Sequence, residues 1–79
     1  MFIVLELQTN TDGTVGTLVN AYENRNQAEN KYHTILAYAA TSNLPCHAAS
    51  MFTNEGNMIK SERYLHPQQE EEPEQQEEE

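Results

Sequence analysis

MFIVLELQTN, residues 1–10, is the stretch on which the fold turns. Its residues are strand-like, yet they do not alternate. Ile3, Leu5 and Leu7 fall on one side of an extended chain. Phe2 and Val4 fall on the other, with Glu6 beyond them. A strand that is apolar on both faces expects cover on both. One helix can supply one layer. In a chain of 79 residues the source of the second layer is the central question.

Such a length allows one domain, and so small a core commonly relies on disulfides, metals or oligomerisation. Cys46 is the only cysteine, which excludes an intrachain disulfide and fits a reducing compartment. His33, His47 and His66 fall at no zinc-ligand spacing, so no metal is expected, and nothing in the sequence calls for a cofactor. Self-association is the option left.

The remaining elements follow from local signals. Asp12-Gly13 is a hairpin turn after the first strand, and a second strand runs from Val15 to Tyr22. Asn24 caps a helix with Gln27 in capping-box position, and Asn26 with Glu29 is an equivalent register. The helix covers Arg25 to Thr41, with Ala28, Tyr32, Ile35 and Ala39 on one face, widened by Leu36. Asn43 and Pro45 stop it. Cys46 to Thr53 reads as a third strand, Asn54–Asn57 as a turn, and Met58 to Leu65 as a fourth strand. A right-handed crossover between the two hairpins gives an α+β fold: a four-stranded antiparallel sheet, ββαββ, in the order 2-1-3-4, with one helix on one face. The uncovered face is expected to meet a second subunit, by sheet-on-sheet packing or by completing a barrel across a two-fold axis; the alternative is a half-exposed sheet with scattered apolar residues. Phe2 and Val4 are the expected homo-oligomer contacts, in a dimer or a higher oligomer.

The net charge of -9 is unevenly placed. The ββαββ domain spans 1–66, and 67–79, PQQEEEPEQQEEE, reads as a disordered acidic tail. The tail is expected to solubilise. The body sets Glu6, Asp12, Glu23, Glu29, Glu55 and Glu62 against Arg25, Lys31, Lys60 and Arg63, so it is close to neutral. Four basic residues form no stripe able to neutralise a nucleic-acid backbone. Phe2–Leu5 is too short an apolar run for a secretory leader, and it has no basic flank. No segment approaches the ~20 apolar residues of a membrane helix. A cytoplasmic protein is expected.

No enzyme motif is present: no G-x-S-x-G, phosphate loop, H-E-x-x-H or C-x-x-C. Gly13 and Gly16 lie between strands, where they serve a turn. Cys46 and His47 point to opposite faces of a strand, which weakens a Cys-His nucleophile and suggests a buried cysteine beside an exposed or interfacial histidine. Lys31 and His33 lie too far apart around the helix to share a ligand within one chain. Tyr22, Asn24 and Arg25 gather at the helix start, where free N–H groups favour anions. They are the candidate ligand residues, with Lys60 or Arg63 from the fourth strand. The competing reading is a capped helix beside a packed tyrosine.

Two runs, FIVLELQTNTDGTVGTLVNAYENRNQAENKYHTILAYAA (2–40) and HAASMFTNEGNMIKSERY (47–64), resemble a group of short phage and prophage proteins of gut Firmicutes. The likeness rests on the D-G-T-V-G turn, the Y-E-N-R-N-Q-A-E helix entry and the E-G turn. It implies the ββαββ layout and a phage origin, hence the cytoplasm of a bacterial host, and it carries no catalytic or binding residue across. By analogy with phage proteins that lack enzyme motifs, the expected function is non-enzymatic binding by a homo-oligomer. The concrete guess is an anti-defence protein that sequesters a cyclic nucleotide immune signal, a small phosphorylated ligand. The alternative is a protein–protein interaction module, either a virion accessory or a host-factor inhibitor.

Overall fold

The computed structural model describes residues 1–67; the acidic run read as a tail lies outside the described residues, apart from Pro67. The elements are β1 (Phe2–Thr9), β2 (Val15–Tyr22), α1 (Arg25–Thr41), β3 (Cys46–Thr53) and β4 (Met58–Leu65). They form one antiparallel sheet in the order β2-β1-β3-β4, with α1 across one face. The expected element bounds and strand order are those observed.

Both hairpin turns are built by glycine and short polar side chains. Gly13 and Gly56 hold φ of 91° and 92°, the left-handed region that a Cβ disfavours. At the first turn Asp12 Oδ1 accepts from the Thr14 N–H at 2.9 Å and from its hydroxyl at 2.7 Å. At the second, Thr53 Oγ1 accepts from the N–H groups of Glu55 and Asn57. A bulge on β4 sets Phe52 opposite Met58 and Met51 opposite Lys60, which leaves Ile59 as the extra residue.

Asn24 is the helix N-cap, and its Oδ1 accepts from the Asn26 N–H at 2.7 Å. That bond settles the choice between the two capping registers, because it satisfies a donor left free by the first turn. At the other end the Ala39 carbonyl accepts from the Ser42 N–H at 3.4 Å and from His66 Nε2 at 2.7 Å. The chain just past β4 therefore ties back to the helix terminus.

The buried stripe of α1 is Ala28, Tyr32, Ile35 and Ala39, packed with Val4, Ala49 and Met51. Small alanines on both sides let the helix approach the sheet closely, and Tyr32 and Ile35 fill the volume between them. Antiparallel partners share a face, so β1 shows α1 its Phe2, Val4, Glu6 and Gln8. Val4 is 0 % exposed. This corrects the expected partner contacts: Phe2 and Val4 belong to the core of the single chain. The opposite face carries Ile3, Leu5 and Leu7 and has no covering layer among the described residues. The inversion has a physical cause. Glu6 makes the Phe2–Val4 face look solvated, but its carboxylate is buried on a histidine from β3.

Candidate functional site

The five residues expected to hold a ligand do not converge on one pocket. Asn24 is occupied as the helix cap. Tyr22 is half-buried and packs against the core. Arg25 and Lys60 do come together, but around a carboxylate: Glu29 accepts from Arg25 Nε at 3.4 Å and from Lys60 Nζ at 2.8 Å. His33 approaches the same carboxylate at 3.4 Å. The hydrogen bond from Lys60, reinforced by both positive charges, holds the Glu29 carboxyl below its ordinary range despite partial desolvation. Each cation also lies over a ring, Lys60 over Tyr32 at 5.4 Å and Arg25 over Phe2 at 5.9 Å. Arg63 pairs with Ala48 and stands on the opposite, open face, away from the other four.

A different cluster is assembled under the C-terminal half of α1. Glu6 and His47 project from the neighbouring strands β1 and β3 toward the helix, and Glu6 Oε2 meets His47 Nε2 at 2.7 Å. Their side chains are 11 % and 5 % exposed. Gln8 Nε2 donates to the same carboxylate oxygen at 2.7 Å, and Ser42 Oγ lies 3.2 Å from His47 Nδ1. Burial alone pushes the Glu6 carboxyl up. Hydrogen bonds from His47 and Gln8, with the positive charges of His47 and Lys31, outweigh that and leave its pKa below the ordinary value. The carboxylate is thus stabilised in its charged form inside the fold. The expectation for β3 is reversed here: His47 is buried, and Cys46 is the half-buried residue on the open face.

These side chains form the floor of a cavity of about 520 Å³, with Lys31, Thr34 and Tyr38 of α1 along its wall. A hydroxyl, an imidazole and a carboxylate in hydrogen-bonded series suggest a nucleophile–base relay. The surroundings oppose that chemistry. Ser42 caps the C-terminus of α1, where carbonyl groups and the helix dipole present negative charge to any developing oxyanion. Its hydroxyl also lies 3.4 Å from the Ala39 carbonyl, to which it can donate. The arrangement suits binding of hydrogen-bond donors to a fixed carboxylate better than acyl transfer.

Sequence reasoning missed this cluster. Glu6 was the available signal, a charged residue on the side of β1 that carries Phe2 and Val4. His47, the residue that explains it, lies 41 positions further on. Among the described residues no group of three or more metal-ligating side chains comes together, and no helix is long and apolar enough to cross a membrane.

The second face of the sheet offers a different kind of surface. Ile3, Leu5 and Leu7 run down its centre, flanked by Val15, Val19 and Ala21 on β2 and by Ala48 and Phe52 on β3. Val19 is 61 % exposed and Leu65, on the far edge, equally so. Arg63 is the one charged side chain on this face among the described residues. No protein-family model matches the chain, and no curated protein or solved structure matches it.

Proposed function

We propose that the chain is a non-enzymatic binding protein that works as a homo-oligomer, assembled by packing the open sheet face of one copy on that of another. The observation that carries this is the largely apolar face around Leu5, interrupted by Thr9, Thr17, Ser50 and Ser61, which the other described residues leave uncovered. Its size is adequate. Each strand has eight residues. At ~3.3 Å per residue and ~4.8 Å between strands, the face measures roughly 26 by 19 Å, or about 500 Å². Two such faces in contact remove roughly 1,000 Å² from water, the size at which specific interfaces begin. The near-neutral body offers little charge repulsion to oppose contact.

Within the two functional expectations, the interaction module gains, and the cyclic nucleotide loses the site expected for it at the helix start. Arg25 and Lys60 are neutralised on Glu29, and Arg63 faces away. A phage anti-defence or virion role in the bacterial cytoplasm remains compatible with a self-associating module. Its support is the motif likeness.

Sedimentation equilibrium of the full chain across the micromolar range tests the assembly. A mass of at least two chains is expected, with Leu5→Glu reducing it to a folded monomer. A wild-type monomer at high micromolar concentration, or a Leu5→Glu protein of unchanged mass, refutes it.

A further inference from the structure

We propose that the cavity between α1 and the Glu6–Gln8 segment of β1 binds a guanine mononucleotide, with the base on the Glu6 carboxylate and the phosphate on Lys31. The site lies on the helix side of the sheet, so the proposal does not rest on assembly through the other face.

Glu6 supplies the first constraint. The residue is 9 % exposed, and its hydrogen bonds from His47 and Gln8 both end on Oε2. Oε1 takes none among the described residues. An ionised carboxylate on a cavity wall with one oxygen outside the protein's own hydrogen bonds is an acceptor that a ligand donor can meet. Gln8 donates through Nε2, which leaves its own amide oxygen as a second acceptor on the same wall. A ligand that fits this wall presents neighbouring N–H groups.

Lys31 supplies the second constraint. It lines the same cavity, and its charge reaches Glu6. It forms none of the ion pairs or hydrogen bonds among the described residues, whereas Arg25 and Lys60 are both held by Glu29. An ammonium or guanidinium ligand would satisfy the acceptor wall but meet repulsion from Lys31. A neutral donor edge joined to an anion satisfies both groups.

Tyr38 supplies the third. It lines the cavity and is 70 % exposed, a large aromatic face without cover. A flat heterocycle can stack there. The cavity is open to solvent on one side, and its volume of about 520 Å³ lies within the range of small-ligand sites. Guanine combines the three demands. Its N1–H and 2-amino group form a two-donor edge, its ring is flat, and a 5′-phosphate extends from it. Adenine presents a ring acceptor, N1, where guanine has a donor, and would set that nitrogen against the carboxylate.

Titration calorimetry of the full chain with GMP, IMP, AMP and guanosine tests this. GMP is expected to bind most tightly. Guanosine, without the phosphate, should bind roughly 10–100-fold more weakly, and IMP, without the 2-amino group, about 10-fold more weakly. AMP should give no heat. Lys31→Ala should weaken GMP to the level of guanosine and leave guanosine unchanged. Tyr38→Ala should weaken both about 10-fold. Glu6→Gln also disturbs His47 and can fail to fold, so the two helix-surface variants carry the test. The proposal is overturned if no ligand in the panel gives heat or thermal stabilisation. AMP matching GMP, or a GMP-over-guanosine preference that survives Lys31→Ala, overturns it equally.

Discussion

Replacing His47 by alanine strands a carboxylate inside the fold. In the native chain Glu6 Oε2 receives His47 Nε2 at 2.7 Å, with both side chains nearly excluded from solvent. Leaving a buried, charged carboxylate short of a donor costs more than the ~1–3 kcal/mol of a neutral polar group. Gln8 keeps its own 2.7 Å bond to the same oxygen, which offsets roughly 1 kcal/mol. A loss of about 3 kcal/mol near neutral pH is therefore expected, a fall of ~15 °C in melting temperature for a domain of this size. The pH dependence carries the sharper signature. The folded Glu6 pKa lies below 4.5, so in the native protein its contribution is present above the unfolded value and fades as pH falls through the folded one. In the variant the hydrogen bonds and charge of His47 are gone, and burial is left to push the carboxyl up. Protonation on acidification then relieves the variant. The stability gap should be widest near neutrality and narrow as pH falls through the carboxylate range. Urea denaturation of both proteins at a series of pH values measures it. A gap under about 1 kcal/mol at neutrality, or one that stays constant on acidification, would refute the assignment of Glu6 as a buried ion held by His47.

Val4→Glu should prevent folding altogether, since Val4 is fully buried against α1; a cooperative thermal transition in that variant would put the helix on the wrong face. Asn24→Ala removes the helix cap and should lower stability by about 1 kcal/mol in chemical denaturation, with no change in sedimentation. Glu29→Gln leaves Lys60 and Arg25 without their common carboxylate, and because the site is solvent-screened the loss should stay under ~1 kcal/mol. Truncation before residue 68 removes seven glutamates and should reduce solubility near neutral pH, read as the concentration at which the shortened chain precipitates.

The element bounds were legible because each has a local cause. Glycines mark the two turns, asparagine marks the helix start, and the Ala28–Ala39 spacing marks the buried stripe. The strand order followed from the handedness of one crossover. Which face of β1 the helix covers was not legible. Parity separates Phe2 and Val4 from Ile3, Leu5 and Leu7, but it assigns neither set to the helix. The larger aliphatic set looks like the core, and only the Glu6–His47 contact shows why the set containing a carboxylate is the one enclosed. The cavity beside Glu6 was hidden for the same reason. Its walls come from β1, α1 and the α1–β3 junction, and no local pattern joins Glu6 to Lys31 and Ser42. Tyr22, Asn24 and Arg25 were attractive because they are neighbours in sequence, and the fold uses them for the cap and for Glu29.

The place of β1 between a near and a distant partner has a consequence for how the chain reaches this state. Its ladder with β2 closes through the short Asn10–Gly13 turn, a local event of the microsecond kind. Its ladder with β3 must bring Phe2 to Thr53 and Thr9 to Cys46, after the whole helix has been made. Closing that long loop costs chain entropy before any core contact rewards it, so β1–β3 pairing is the step expected to limit the folding rate. Changes at Val4, Ala49 and Met51, where the long ladder meets the helix, should then slow refolding, whereas changes at the Asp12-Gly13 turn should act mainly on how fast the native chain opens.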